Sequence, residues 1–179
     1  MRRARHVVAR ALAISRPVLW INTLGAALLG LWLTGALVRL ELWPLFLWLT
    51  LPFNLLVYGV NDVSDLEVDA RSARKGGIEG ARIAAAEVRP ILWGAAVVNF
   101  PFAVWIAWSW PPAAVGWAAA YALVFVAYSL RPLRLKGRPL LDGLSNAAYA
   151  FPIVIVPLAL GAAPSWPAIT RWRSRASSR

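Results

Sequence analysis

The sequence predicts an all-α fold, a polytopic bundle of membrane-spanning helices. Hydrophobic residues make up 60% of the 179-residue chain and charged residues only 15%, whereas soluble domains carry roughly 25% charged residues. Uncharged runs cover residues 17–38, 42–60, 90–130 and 143–170, and each reaches the roughly 18 apolar residues that mark a membrane span. A soluble helical protein is the alternative, but such runs offer water no polar face.

The first two runs predict helices over residues 17–38 and 42–60. The basic segment before the first run resembles the start of a secretory signal peptide. However, the run is longer than the roughly 7–15 apolar residues of a signal-peptide core, and no small-residue cleavage pattern follows it. We therefore expect the first helix to be retained.

The third run, residues 90–130, is long enough for two helices. It contains "SWPP" at residues 109–112, and prolines inside a helix lack an N–H donor and clash with the preceding turn. The sequence therefore predicts helices over 90–109 and 112–130. The last run predicts a helix over 143–162, which closes a single transmembrane domain (1–162) before a basic, disordered tail (163–179).

Basic residues are concentrated in alternate connections between these helices. Residues 1–16 contain five arginines, and 61–89 and 131–142 are also rich in Arg and Lys, whereas the intervening connections carry only Arg39 beside Glu41 or no charge. The positive-inside rule places the N-terminus and both basic connections in the cytoplasm of a multi-pass protein of the inner membrane. The basic C-terminal tail breaks this pattern.

The residue inventory limits the possible chemistry. The chain has no cysteine, and its single histidine, His6, lies in the basic N-terminal segment. Disulfides, thiolate nucleophiles and sulfur-bound metals are therefore excluded, and any metal must be held by oxygen ligands.

The stretch "NDVSDLEVD", residues 61–69, places four acids directly after the second apolar run. If the helix continues, Asp62, Asp65 and Asp69 share one face within about 60° of one another, Asn61 flanks them, and Glu67 points away. Like charges at a helix C-terminus repel one another and oppose the helix dipole. Bound Mg²⁺ bridging a diphosphate would offset this charge. A solvated acidic cap balanced by the following cations is the alternative.

The stretch "YSLRPLRLKGRPLLD", residues 128–142, brings four cations to the same predicted side of the membrane. Arg and Lys in this connection could hold phosphate oxygens. Ordinary positive-inside anchoring is the alternative explanation.

These motifs together resemble the UbiA superfamily of intramembrane prenyltransferases. The family's N-D-x-x-D-x-x-x-D motif matches Asn61, Asp62, Asp65 and Asp69. "YSLRPLRLKGRP" is similar to the family's loop after the fourth helix, and "SRPVLWINTLGAALLG" to its first helix. The resemblance covers residues 15–162.

The resemblance implies a helical bundle of about nine spans around a cavity open to lipid. It also implies Mg²⁺-dependent transfer of a prenyl group from a prenyl diphosphate to a lipophilic acceptor. Asn61, Asp62 and Asp65 would be catalytic and, with Asp69, would bind the metal. The substrate would be held by Asp69, Asn22, Tyr128, Arg134 and Lys136.

The stretch "YGVNDVSDLEVDARSARKGGIEGAR" is most similar to the lycopene elongase branch, which adds a C5 unit from dimethylallyl diphosphate to a carotenoid. Other branches prenylate quinone precursors, haem, chlorophyllide or lipid phosphates. No residue selects the acceptor on physical grounds, and no nucleic-acid partner is predicted.

One departure from the family concerns its second motif, D-x-x-x-D, in the later half. No acid follows Asp142 in this chain, which therefore resembles an N-terminal part of the family. A non-catalytic membrane protein, or an inactive truncated fragment, that binds prenyl diphosphate or anionic lipid is the alternative. A cation pathway is disfavoured because the predicted spans contain no acid.

Overall fold

The computed structural model describes residues 2–37, 39–66 and 81–161. Within these residues all regular structure is helical. The α-helices are α1 (Arg2–Ser15), α2 (Trp20–Thr34), α3 (Trp43–Trp48), α4 (Leu51–Ser64), α5 (Val88–Ser109), α6 (Pro112–Ser129), α7 (Pro139–Asn146) and α8 (Phe151–Ala159). Short 3₁₀ turns connect or extend these helices at Pro17–Leu19, Leu40–Leu42, Ala85–Glu87, Leu135–Gly137 and Ala147–Ala150.

Among the described residues, five helical segments are long and apolar enough to cross a membrane. They are Pro17–Thr34, Trp43–Ser64, Ala85–Ser109, Pro112–Ser129 and Pro139–Ala159. This confirms the predicted all-α polytopic bundle. The second, third and fifth segments extend beyond their predicted bounds, so that Asp62, Glu87 and Asp142 lie inside them. The first segment ends early because Gly35, with φ 69°, caps α2 in the left-handed conformation that glycine adopts readily.

The second span is broken between α3 and α4, which the sequence analysis did not predict. Thr50 adopts φ −87° and ψ −125°, outside the helical region, and Pro52 follows in the first turn of α4. Asn54 Nδ2 donates to the carbonyls of Leu49 at 2.7 Å and Thr50 at 2.8 Å, and Thr23 Oγ1 lies 2.8 Å from the Leu49 oxygen. These bonds supply donors to the Leu49 carbonyl, which the break would leave without a helical partner in an apolar environment, while the Thr50 carbonyl also accepts from the Asn54 backbone N–H at 3.2 Å.

A second interruption divides the last span into α7 and α8, with a 3₁₀ turn at Ala147–Ala150. Helix α8 packs closely against α2 at Gly30, where an added Cβ would lie 3.0 Å from Val156 Cβ and 3.2 Å from the Pro152 oxygen. The small residue is therefore required for this approach.

Helix α4 is the centre of the bundle and packs against α1, α5 and α6. Its buried Phe53 stacks on Tyr121 of α6 with ring centroids 4.4 Å apart, and Phe125 meets Phe53 edge-on at 5.9 Å. This aromatic core fixes the position of α4, whose C-terminal end carries the acidic motif.

Helix α1 was not predicted, since residues 1–16 were interpreted only as a basic segment. Its Ile14 is buried against Leu55 of α4 and Ile91 of α5. Arg10 donates to Glu87 Oε1 at 2.8 Å and also to the Arg82 carbonyl. These contacts attach α1 to the end of the bundle that carries the acidic motif.

Candidate functional site

The C-terminal end of α4 carries the first part of the acidic motif. Asn61, Asp62 and Ser64 lie in its last turn, and Asp65 caps the helix, with its backbone N–H donating to the Asn61 carbonyl at 3.1 Å. The regular helix ends at Ser64, before the end of the helical continuation assumed for residues 61–69. Asp69 and Glu67 lie outside the described residues, so their predicted placement stays a prediction.

Asp62 points into the bundle and is bound by an arginine from the connection between α1 and α2. Its side chain is fully buried, and Arg16 Nη2 donates to Asp62 Oδ1 at 2.6 Å. The Arg16 guanidinium also lies over the Tyr58 ring, 4.7 Å from its centroid, a distance suited to cation–π attraction. A buried carboxylate therefore has an ion-pair partner that the sequence analysis did not assign.

Asp65 is bound by the basic connection between α6 and α7. Arg134 Nη2 lies 3.2 Å from Asp65 Oδ1, and Lys136 Nζ lies 2.6 Å from Asp65 Oδ2. Lys136 also donates to Asn61 Oδ1 at 2.9 Å and to Ser64 Oγ at 3.1 Å. Three oxygens at the end of α4 thus converge on one ammonium group, in an arrangement that accepts a cation.

The backbone is unusual at both arginines that reach the aspartates. Arg16 has φ 51° and Arg134 has φ 36°, and these are the non-glycine residues with positive φ among those described. Side chains disfavour this left-handed region, and residues held there are often found at functional sites. The turns direct both guanidinium groups toward α4.

A cavity of about 180 Å³ adjoins the charged groups. Its lining comprises Arg16, Val57, Tyr58, Asn61, Phe125, Tyr128, Asn146 and Tyr149. The Tyr58 and Tyr149 hydroxyls lie 3.5 Å apart, and the rings of Phe125 and Tyr149 meet with centroids 4.8 Å apart. Arg16 and Asn61 belong to both the ion-pair cluster and the cavity, so a ligand in the cavity would touch the charged site.

The structure therefore brings together most of the residues that the sequence singled out. Asn61, Asp65, Arg134 and Lys136 are in direct contact, and Tyr128 lines the adjoining cavity. Asn22 is exposed and is not among the residues lining this cavity. The catalytic, metal-binding and substrate-binding roles of these residues stay predictions.

Several site residues were not assigned from sequence, chiefly Arg16, Ser64, Tyr58 and Tyr149. The sequence feature that could have assigned Arg16 to the site is its position beside Pro17, immediately before an apolar run. Asn146 is a polar residue within the last apolar run, and amides in such runs face a cavity or join helices. Its Nδ2 donates to the Asp142 carbonyl at 3.1 Å while it lines the cavity.

Within the described part of the chain, no group of three or more Asp, Glu, His or Cys side chains could hold a metal by itself. Asn61, Asp62 and Asp65 offer amide and carboxylate oxygens, the hard ligands that Mg²⁺ prefers. Mg²⁺ commonly takes one or two protein carboxylates and completes its octahedron with water and phosphate oxygens. The donor set therefore fits Mg²⁺ accompanied by a phosphate ligand.

The chain is similar to curated proteins of carotenoid biosynthesis. A lycopene elongase/hydratase of Corynebacterium glutamicum is 34% identical over 154 residues, which cover 84% of this chain and 53% of the relative. A protein with the same name from Halobacterium salinarum is 35% identical over 144 residues, covering 78% and 50% of the two chains. The C(50) beta-cyclic carotenoids biosynthesis protein LbtBC of a Dietzia species is 38% identical over 136 residues, covering 75% and 31%.

The chain thus spans about half the length of the lycopene elongase/hydratases it matches. No protein-family model matches the chain, and no solved structure matches it significantly.

Proposed function

Because its similarities support a relation to enzymes of carotenoid biosynthesis, we propose that this membrane protein carries the diphosphate site of a Mg²⁺-dependent prenyltransferase. The proposed acceptor is a carotenoid such as lycopene, and the donor a prenyl diphosphate. The observation that carries this proposal is the convergence of Arg16, Arg134 and Lys136 on the acidic end of α4 beside an aromatic cavity.

The charge balance of the cluster supports binding of an anion. Three cations meet two described carboxylates, Asp62 and Asp65. The Nε–H of Arg16 is buried and has no hydrogen-bond acceptor among the described groups. A buried donor of this kind is costly to leave unpaired, and a phosphate oxygen in the adjoining cavity would satisfy it.

Asn61, Asp62 and Asp65 would hold the metal, and Asp69 would complete the motif. When bound, Mg²⁺ would neutralise charge on the diphosphate as it leaves. Arg16, Arg134 and Lys136 would bind the same leaving group, and donors placed where charge develops lower the barrier to breaking the allylic C–O bond.

The aromatic side of the cavity would serve the other half of the reaction. Breaking the C–O bond leaves positive charge on the prenyl carbon, and the faces of Tyr58, Phe125 and Tyr149 can stabilise positive charge. These rings would also exclude water that would otherwise capture the cation. An electron-rich alkene carbon of the acceptor would then form the new C–C bond to the prenyl carbon. The positive charge that this leaves on the neighbouring acceptor carbon would be removed by loss of a proton to the released diphosphate.

A non-catalytic role in binding diphosphate or anionic lipid is the second candidate. One observation favours it: the chain's own cations already bind oxygens of Asn61, Asp62 and Asp65, so the cluster is electrostatically compensated without a metal. The activity test below distinguishes the two candidates.

The test is to incubate the purified chain in lipid with Mg²⁺, dimethylallyl diphosphate and lycopene, and to measure prenylated carotenoid and released diphosphate. We expect Asp65→Asn to lower the rate about 100-fold, the size of effect seen when one electrostatic stabiliser is removed. Glu41→Gln, an exposed acid paired with Arg39, is the matched control and should retain the rate.

Mg²⁺-dependent binding of dimethylallyl diphosphate with no product would replace the transferase proposal by the binding role. Failure to bind the diphosphate at all would overturn both. We also propose that the acidic end of α4 faces the cytoplasm. A reporter fused after Asp69 should register as cytoplasmic, and a signal from the opposite side would contradict this orientation.

A further inference from the structure

The outer face of α1 carries an apolar and basic stripe. Arg5, Val8 and Leu12 follow at i, i+3 and i+7 and therefore lie within about 60° of one another. All three are exposed, Val8 to 56% and Leu12 to 36%. The buried Ile14, which packs against α4, lies at least about 120° away from Val8 and Leu12 around the helix. The exposure of Val8 and Leu12 shows that this face is open up to Leu12, whereas Ser15 on the same face in the last turn is buried.

The charge of this segment is one-sided. Residues 1–16 contain five arginines and no acid. Arg10 is paired with Glu87, and Arg16 with Asp62. The sequence places three further arginines, Arg2, Arg3 and Arg5, in the first turns of the helix, so the charge of this segment favours an anionic partner.

The position of α1 connects this stripe to the membrane. The helix ends at Ser15, and the first apolar span begins at Pro17. Arg16, with φ 51°, makes the turn between them. Arg10 attaches α1 to Glu87, close to the start of the third span at Ala85. The stripe is thus held beside the ends of two membrane spans, where headgroups and acyl chains meet.

We propose that α1 lies in the membrane interface and binds anionic lipid, with Val8 and Leu12 among the acyl chains and the arginines against headgroup phosphates. A helix with one apolar stripe, adjacent arginines and low net hydrophobicity is suited to this position. Juxtamembrane arginines are attracted to anionic lipid surfaces. This interaction is independent of diphosphate binding at the end of α4.

The absence of cysteine from the chain allows a direct test. Val8→Cys is labelled with an environment-sensitive fluorophore, and the full chain is placed in nanodiscs of phosphatidylglycerol or phosphatidylcholine. Ala13→Cys, which is exposed on another side of α1 about 140° from Val8, is the matched control. With brominated acyl chains we expect at least threefold stronger quenching at Val8 than at Ala13 in phosphatidylglycerol.

In phosphatidylglycerol, quenching of the Val8 label should exceed that in phosphatidylcholine. Replacing Arg2, Arg3 and Arg5 together by Gln should reduce this difference in quenching at least twofold. Equal quenching at Val8 and Ala13, with both labels open to aqueous iodide, would overturn the proposal. A Val8 label shielded from both iodide and brominated lipid would also overturn it, because protein would then cover the stripe. Thermal unfolding of each labelled variant verifies that the fold is intact.

Discussion

Helix α4 has a polar cluster at each end, and the two clusters differ in what they bind. The cluster at the break between α3 and α4 consists of Thr23, Asn54 and Asn99, whose uncharged groups contact backbone carbonyls. The cluster at the C-terminal end consists of Arg16, Asn61, Asp62, Asp65, Arg134 and Lys136, and its charged groups bind side chains.

This difference separates a structural cluster from a candidate site. At the break, Thr23 and Asn54 donate to the Leu49 carbonyl, which an unbroken helix would have satisfied, so the backbone itself requires these two donors. At the C-terminal end of α4, in contrast, the charged side chains bind other side chains rather than backbone carbonyls. Buried ion pairs contribute little net stability because both charges must be desolvated. Charges kept there are better explained by a ligand than by the fold.

The largest expected effect is on diphosphate binding. Lys136→Met removes the ammonium that contacts Asn61, Ser64 and Asp65 while keeping the length of the side chain. A charge-assisted hydrogen bond to phosphate is worth about 1.5–3 kcal/mol, so we expect about 10- to 100-fold weaker binding of dimethylallyl diphosphate by calorimetry. Because the Lys136 side chain is only 13% exposed and three oxygens lose this donor, the free energy of unfolding should also fall, by about 1–3 kcal/mol. Unchanged affinity would mean that this cation does not face the ligand.

The second prediction concerns the break cluster, where stability should change and diphosphate affinity should not. Asn54→Leu leaves the carbonyls of Leu49 and Thr50 without the Asn54 amide, and we expect the free energy of unfolding in mixed micelles to fall by about 1–2 kcal/mol. Thr34→Val, which removes hydrogen bonds made within a single helix, is the control and should cost less. Lost diphosphate affinity in a still folded Asn54→Leu variant would remove the distinction between the clusters.

The sequence predicted the spans because a membrane span requires a long run of uncharged, apolar residues. It did not predict where the helices within those spans are interrupted. Hydropathy is uniformly high through Leu49 and Thr50, so a window that measures apolarity cannot detect a change in backbone conformation. The local signals were Thr50, Pro52 and Asn54, whose side chain can bond free carbonyls. Helix α1 was missed because five arginines in residues 1–16 interrupt its apolar residues, and the helical spacing of Ala11 and Ile14 alone is too short a pattern to predict a helix.

The members of the site were more predictable than their pairing. The motifs identified Asn61, Asp65, Arg134 and Lys136, which the structure brings into contact. Which cation meets which acid depends on the left-handed turns at Arg16 and Arg134, a conformation that no residue preference at arginine predicts. Arg16 therefore could not be assigned to Asp62, 46 positions away.

The contact between α2 and α8 at Gly30 involves no polar side chains, so substitutions there measure the effect of packing separately from that of the two polar clusters of α4. At Gly30 an added Cβ would lie 3.0 Å from Val156 Cβ, so Gly30→Ala should lower the free energy of unfolding by about 1 kcal/mol through overpacking. Gly25→Ala on the same helix has nothing within 4 Å of the new Cβ and is the matched control. Both variants should bind diphosphate normally, and equal stability of the two would show that α2 and α8 can separate at little cost.

The smallest expected effect comes from an ion pair of the same length as Arg16–Asp62. Arg39 Nε lies 2.6 Å from Glu41 Oε1, and Arg16 Nη2 lies 2.6 Å from Asp62 Oδ1. The former side chains are 55% and 57% exposed, and the latter 15% and 0%. Exposed pairs are worth about 0.2–1 kcal/mol, so Arg39→Gln should shift the free energy of unfolding by less than about 0.5 kcal/mol and leave diphosphate affinity unchanged.

The substitution Arg16→Gln should alter both the free energy of unfolding and the diphosphate affinity. It leaves a buried carboxylate without this cation, and it removes from the cavity a hydrogen-bond donor to phosphate. If the two substitutions had equal effects, burial would not distinguish the pairs, and the C-terminal cluster of α4 would be an ordinary charged helix end.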